Sequence, residues 1–277
     1  TTAHGSGCSL RAMGDQEFEI TKAVSCMTKY CEMVIDPAAW QTRGKKWQDV
    51  RTAINKAKRD GITDVLTTFK ETPFSVQTQI REISAQWAGK KALPEMGFTL
   101  GGVDELIDSR VRLLYAVDGN GKVLGVTSWL PTYRDGTIIG WTLDFMRHRT
   151  DSVNGIMEFL IARMAERLRD EGNVEFMSLS AAPLAGMGSN ESEHEESEVL
   201  RHALQMVADI MEPAYGFHSL FRFKLKFHPD EEKVYICYPD AAKLPQISLA
   251  VAQAYVPSLT PAEAMRFVRT IVPTKTN

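Results

Sequence analysis

One stretch of the chain, residues 136–185, constrains the fold most because it combines two strand patterns with a helix pattern. Residues 137–145 are rich in β-branched and aromatic side chains, which is typical of a buried strand. A helical pattern follows, and its apolar face carries Ile156, Phe159, Leu160, Met164 and Leu168. Gly172 ends this helix, and residues 174–180 resume as a strand. The sequence therefore predicts a β-α-β unit with parallel strands.

Polar residues lie at the carboxyl end of the first strand of this unit, which is the end where open α/β sheets bind their ligands. They are Asp144, Arg147, His148 and Arg149, and Asn154 precedes the helix. Such a group can orient a hydroxyl group and hold an anion. The structural alternative is an Asp–Arg pair that only closes the end of the strand.

The rest of the chain alternates strands and helices. Residues 111–117 and 122–130 are predicted strands, and the Asp-Gly-Asn-Gly sequence between them is a strong hairpin signal. With the strand that follows, they form an antiparallel meander. Helical patterns cover residues 44–60, 74–90, 103–110, 197–211, 245–254 and 261–271. A short strand is predicted over residues 235–238, and residues 18–35 fit either a strand or a helix.

Two groups of cations suggest contact with a polyanion. Lys45 and Lys46 open a helix with a basic surface, although an ordinary solvated face explains them as well. In residues 221–227, FRFKLKF, the cations Arg222, Lys224 and Lys226 alternate with apolar residues. A strand would place all three on one face, whereas a short helix would separate Lys224 from the other two. An edge strand with protective lysines is the structural alternative.

Composition narrows the class of protein. The net charge of −3 excludes a generally basic nucleic-acid-binding body, so RNA or anionic lipid must be bound by local patches. No run approaches the ~20 apolar residues of a membrane span. The four cysteines lack zinc-site spacing and are predicted to be reduced thiols. Since the chain does not begin with methionine, we expect it to be part of a longer protein.

Several segments between residues 40 and 239 carry a family resemblance. They are KKWQDVRTAINKAKRDGI, GFTLGG, LPTY, LDFMRHRTDSVNGIMEFL, FMSLSAAPLAGMG, YGFHSLFRFKLKFHP and YICYP. In this order they resemble the catalytic domain of the bacterial aminoacyl-phosphatidylglycerol synthases, the phosphatidylglycerol lysyltransferase or multiple peptide resistance factor family. Asp144 and Arg147 fall on the family's Asp-Leu-Met-Arg signature. The chain departs from the family at Ser178, which replaces an asparagine, and at Ser180 and Ala181, which replace Gly-Met.

The resemblance implies transfer of a lysyl or alanyl group from aminoacyl-tRNA to a hydroxyl of a membrane phospholipid, phosphatidylglycerol. Such transfer would alter membrane surface charge and resistance to cationic antimicrobial peptides. We expect the domain to act at the cytoplasmic face of the cell membrane, beside a membrane-embedded region outside this chain. The donor ester is already activated, so no metal or redox cofactor is expected. The predicted catalytic residues are Asp144 and Arg147, and the predicted substrate-binding residues are Lys45, Lys46, Arg149, Asn154, Ser178, Arg222, Lys224 and Lys226.

The expected fold is α/β (α+β), with N-acyltransferase-like mixed sheets, flanking helices and two tandem lobes. We expect a flexible lead over residues 1–14, a first lobe over 15–110, and a second lobe over 111–277 that carries the site. An acetyl-CoA-dependent N-acetyltransferase would share this fold but needs a glycine-rich pyrophosphate loop, and Gly155 is the one glycine between Arg147 and Ile156. A non-catalytic tRNA- or membrane-surface-binding module is the other alternative.

Overall fold

A computed structural model describes residues 2–5, 8–11, 25–89, 102–183 and 217–238, together with 246, 247 and 250. The strands are β1 (Thr2–Gly5), β2 (Cys8–Arg11), β3 (Ser25–Ile35), β4 (Thr63–Thr67), β5 (Arg112–Val117), β6 (Val123–Arg134), β7 (Thr137–His148), β8 (Phe176–Pro183) and β9 (Asp230–Tyr238). The α-helices are α1 (Gln48–Arg59), α2 (Phe74–Ala88), α3 (Ile156–Glu171) and α4 (Phe217–Leu225). Short 3-10 helices cover Lys45–Trp47, Phe69–Glu71 and Glu105–Ile107.

Seven of these strands form one mixed sheet in the order β4-β5-β6-β7-β8-β3-β9, and β1 and β2 form a separate hairpin. Within the seven-stranded sheet, β7 and β8 are parallel and every other described pair is antiparallel. The predicted α/β class with a mixed sheet and flanking helices is confirmed. β3 and β4, from the predicted first lobe, pair with strands of the predicted second lobe, and a lobe boundary at residue 110 stays a prediction.

The predicted β-α-β unit is confirmed as β7, α3 and β8. All five predicted apolar residues of α3 are buried, and Gly172 ends the helix with a φ of 66°. Gly155 precedes the first residue of α3 with a φ of 91°, and α1 packs closely against it. A Cβ atom on Gly155 would lie 2.9 Å from the Cβ of Ala53. None of the helices in the described ranges is long and apolar enough to cross a membrane.

The sheet buries a separate apolar core on each face. Leu143 of β7 belongs to the core shared with α1 and α3, whereas Phe145 belongs to the core shared with α2. Residues two apart on a regular strand share a face, so a β-bulge must lie between them. The register with β6 shows it, since Phe145 pairs with Ser128 and Leu143 pairs with Trp129. Asp144 is therefore the extra residue of the bulge.

Three other regions settle or correct the expectations from sequence. The open region at residues 18–35 contains β3, and the strand predicted over 235–238 is part of β9. The helix predicted over 103–110 is wrong, since only a 3-10 helix forms there. The Asp108 side chain accepts a hydrogen bond from the Arg110 backbone N–H at 2.9 Å and so competes with a continued helix.

The strand interpretation of residues 221–227 is also wrong, because most of this segment lies in α4. The rings of Phe223 and Phe227, four residues apart, contact each other at 5.5 Å and pack against the core around α1 and α3. Helical spacing brings them to one side. The helices predicted over residues 197–211 and 261–271 lie outside the described residues, and the three described positions of 245–254 are helical.

Candidate functional site

The two parallel strands separate soon after they pair. β7 and β8 are in register only from Gly140 to Thr142 on β7, opposite Phe176 to Ser178 on β8. Beyond these residues β7 continues along β6, and β8 continues along β3. The parallel ladder therefore ends at the carboxyl ends of β7 and β8, which is where ligands bind in sheets of this kind. We call this region, beyond Thr142 and Ser178, the opening.

Ser180 links the two sides of this opening. It lies on β8 with a φ of 66°, a conformation that residues other than glycine rarely adopt. Its hydroxyl donates to the carbonyl oxygen of Leu143 on β7. Its backbone N–H donates to the hydroxyl of Ser178 at 2.9 Å. Ser178, a predicted substrate-binding residue, is fully buried, and its hydroxyl helps to hold this strained turn.

Lys224 provides a buried cation at the β8 side of the opening. Its Nζ atom donates to the carbonyl oxygens of Ala181 at 3.1 Å and Ser180 at 3.3 Å. The residue is only 4% exposed. Burial lowers the pKa of Lys224 to about 8, and the nearby Glu32 carboxylate partly opposes that shift. The structure therefore holds an ammonium group with little water around it beside the opening.

Asp144 lies on the other side, in the bulge of β7. It directly follows Leu143, the residue that accepts the Ser180 hydrogen bond, and its side chain is half-buried. Bulges are frequent beside active sites because they redirect a side chain from the regular pleat. The predicted catalytic aspartate is thus next to the contact that spans the two strands.

Arg147 lies on the face of the sheet that α2 covers. It is 3% exposed, and its guanidinium carbon lies 4.4 Å from the ring centroids of both Trp87 and Phe145. Its Nη1 atom donates to the hydroxyl and the carbonyl oxygen of Ser84. A side chain so deeply buried is better placed to act through its electric field than by direct contact with solvated phosphates.

Arg149 also binds α2. Its Nε atom donates to the carbonyl oxygen of Val123 at 2.7 Å, and its Nη2 atom lies 3.2 Å from the Gln79 side-chain oxygen and 3.4 Å from the Glu82 carboxylate. Asn154, by contrast, is exposed beside the start of α3. The polar residues after β7 are therefore divided between α2 and the surface.

Two groups of cations predicted from the sequence, Lys45 with Lys46 and the cations of residues 221–227, come close to each other near the start of α3. His228 Nε2 lies 3.0 Å from the carbonyl oxygen of Lys46, and its ring contacts Trp47 edge-on at 4.9 Å. Lys226 donates to the Glu158 carboxylate of α3 at 2.8 Å. We call the exposed or half-buried cations of this region, Lys45, Lys46, Arg222 and Lys226, the cation surface.

Sequence reasoning missed Ser84 and Trp87 as partners of Arg147, because 63 and 60 positions separate them along the chain. The left-handed turn at Ser180 could have been predicted from the sequence, since the family that the chain resembles has glycine at that position.

Within the described ranges, no three His, Cys, Asp or Glu side chains come together as a potential metal site.

Comparison with known sequences gives one family. The family model for the C-terminal region of phosphatidylglycerol lysyltransferase matches residues 9–238. An uncharacterized protein of Corynebacterium glutamicum is 42% identical over 225 residues, which are 81% of this chain and 28% of that protein. The phosphatidylglycerol lysyltransferase of Bacillus subtilis is 29% identical over 213 residues, 75% of this chain and 23% of that enzyme. The chain thus spans less than a third of the length of these relatives.

Solved structures agree on the fold. L-PGS from Bacillus licheniformis has a TM-score of 0.66 at 23% identity, covering 84% of this chain and 67% of its own. A C-terminal domain of the DUF2156 class from Agrobacterium fabrum has a TM-score of 0.65 at 24% identity, covering 83% of this chain and 66% of its own. At this level of identity, the likeness concerns the fold.

Proposed function

Because the chain belongs to the family of phosphatidylglycerol lysyltransferase C-terminal domains, we propose that it transfers an aminoacyl group from aminoacyl-tRNA to a hydroxyl of phosphatidylglycerol. The observation that carries this proposal is the family match over residues 9–238, which covers the whole seven-stranded sheet and its opening. The name of the Bacillus subtilis relative favours lysine as the transferred amino acid, with alanine as the alternative. The proposed place of action is the cytoplasmic face of the cell membrane, where lysylation would reduce negative surface charge and increase resistance to cationic antimicrobial peptides.

The proposed reaction exchanges one ester for another. The acceptor hydroxyl oxygen attacks the aminoacyl carbonyl carbon and forms a tetrahedral intermediate with a negatively charged oxygen. The bond to the tRNA ribose oxygen then breaks, and the proton lost by the acceptor hydroxyl ends on that ribose oxygen. The protein must hold the two substrates in line and stabilise the negative oxygen.

The opening between β7 and β8 supplies groups for both tasks. We assign to Asp144 the orientation of the attacking hydroxyl, since a carboxylate accepts its hydrogen bond and can take up its proton. Lys224 adds a buried positive charge at the β8 side of the opening, and Arg147 adds a second one on the sheet face that α2 covers. Buried charges act more strongly on a developing oxyanion than charges in water.

The cation surface is the proposed contact for the tRNA donor. Its members Lys45, Lys46 and Arg222 are exposed, so they can neutralise phosphates without first leaving a buried position. It lies beside the start of α3, which directly follows the carboxyl end of β7. A tRNA held there would therefore have its acceptor end near the opening.

A direct transfer assay tests the proposal. The chain is incubated with radiolabelled lysyl-tRNA or alanyl-tRNA and phosphatidylglycerol vesicles, and the lipid is then extracted. We expect label in the lipid, loss of label after RNase treatment, and none with phosphatidylcholine vesicles, which offer no free glycerol hydroxyl. A requirement for acetyl-CoA would support the acetyltransferase alternative instead. Binding of tRNA or vesicles without transfer would show a binding module.

A further inference from the structure

The buried guanidinium group of Arg147 is held by a helix that sequence reasoning did not connect to the site. Two aromatic rings contact it, Trp87 from α2 and Phe145 from β7, and each ring centroid lies 4.4 Å from the guanidinium carbon. Ser84, one turn before Trp87 on α2, accepts its hydrogen bonds. We propose that Ser84 and Trp87 are positioning residues for Arg147 in the transfer reaction, an inference that rests on the proposed function.

The two kinds of contact fix different degrees of freedom. An aromatic face attracts a cation and favours a parallel guanidinium plane, but it leaves that plane free to rotate about its own axis. Hydrogen bonds from Nη1 to the Ser84 hydroxyl and carbonyl oxygen remove that rotation. Together they determine both where the charge lies and which way its remaining N–H groups point.

The charge of Arg147 is linked to Asp144 through Phe145. Phe145 directly follows Asp144, so the ring that contacts the guanidinium group is attached to the bulge. A change in the Arg147 contacts on α2 is therefore expected to move the bulge as well as the charge. α2 would in this way set the geometry of Asp144.

Kinetics of Ser84→Ala provide the first test, with Ser75→Ala as a matched control, because Ser75 lies on the same helix and is exposed. We expect Ser84→Ala to lower kcat roughly 10-fold, the effect of one hydrogen bond to a charged group, with KM nearly unchanged. Ser75→Ala should keep the wild-type kcat. An unchanged kcat in Ser84→Ala, or a loss explained by a lowered Tm alone, would overturn the proposal.

Chemical rescue provides a readout that a purely structural role would not affect. Arg147→Gly is expected to lose transfer and to regain part of it when guanidinium ion is added at millimolar concentration. Adding Ser84→Ala or Trp87→Leu to Arg147→Gly should raise the guanidinium concentration needed by about 10-fold. The same rescue curve in the single and double variants would contradict the proposal.

Two further measurements separate this inference from the proposed function. Guanidinium binding to Arg147→Gly, measured by isothermal titration calorimetry, requires no transfer activity. We expect tighter binding with Ser84 and Trp87 present, and equal binding in the double variants would overturn the positioning role. If Arg147→Gly does not fold, Arg147→Lys keeps the charge without the planar fork, and wild-type kcat in that variant would also overturn the proposal.

Discussion

The Nζ atom of Lys224 lies 3.1 Å from the carbonyl oxygen of Ala181, so a buried ammonium group is attached to the strand that borders the opening. The lysine belongs to α4, which begins 34 positions after the last residue of β8. The contact satisfies two backbone carbonyls, but the burial that accompanies it disfavours the charged form of the lysine. Charge at the site and stability of the fold are therefore linked.

The first prediction concerns the pH dependence of stability. The pKa of Lys224 is about 8 in the folded chain, below its ordinary value of 10.5, so between these values the unfolded chain binds more protons. The free energy of unfolding of the wild type, relative to Lys224→Met, should therefore rise with pH by up to roughly 3 kcal/mol. Urea unfolding from pH 7 to 10.5 measures this difference. Leu225→Met is the control, and a pH-independent difference for Lys224→Met would contradict the prediction.

The second prediction concerns Asp144. Asp144→Asn should lower kcat/KM for transfer at least ~100-fold, because the amide can neither take up a proton nor accept hydrogen bonds as strongly as a carboxylate. Thermal unfolding should change little. Asp151→Asn, which removes an exposed carboxylate paired with Lys122, should transfer at the wild-type rate. Full activity in Asp144→Asn would assign the bulge residue to the scaffold alone.

The third prediction concerns the cation surface. Lys45→Ala, Lys46→Ala and Arg222→Ala should each weaken tRNA binding. They should reduce the steepness of log affinity against log salt by about 0.7 for each single-strand phosphate that the variant no longer neutralises. Binding to anionic vesicles is measured over the same salt series. Lys70→Ala is the matched control, since Lys70 is exposed in the 3-10 helix before α2. Unchanged slopes for tRNA would remove these residues from donor binding, and a change for vesicles alone would assign them to the lipid.

The fourth prediction concerns the point where β7 and β8 begin to pair. A Cβ atom on Gly140 would lie 2.5 Å from the ring of Phe176, its partner in the parallel register. Gly140→Ala should therefore reduce the free energy of unfolding by about 1–3 kcal/mol. Adding Phe176→Leu should recover part of that loss, because the smaller side chain leaves room for the methyl group. Additive losses in the double variant would show that the two positions do not interact.

The sequence predicted the β7-α3-β8 unit well because apolar periodicity and a terminal glycine report directly on buried faces. It did not reveal the bulge at Asp144, since one extra residue in a strand leaves no change in composition. Nor could it choose between strand and helix for residues 221–227, because alternation over seven residues fits both. The deciding contact, between Phe223 and Phe227, belongs to tertiary packing.

For the site residues too, the sequence did not reveal contacts that depend on tertiary packing. Asp144 was predicted from its place at the end of a strand and from the family signature, and in the structure it lies beside the opening. Lys224 was identified only as one of three alternating cations, whereas its burial depends on the packing of α4 against β8. Ser84 and Trp87 had no local signal, because their contact with Arg147 depends on the packing of α2 against the sheet.

The position of β3 has a consequence for synthesis on the ribosome. β3 leaves the ribosome before the other six strands of its sheet, yet its neighbours are β8 and β9. At ~5–20 residues per second, roughly 10–40 s pass between the synthesis of β3 and that of β9. Until β8 is synthesised neither edge of β3 has its native partner, and the edge that pairs with β9 stays open for the whole interval. Unpaired strand edges promote aggregation. The earliest strand of the sheet is thus among the last to be completed, and nascent chains should depend on chaperones throughout this delay.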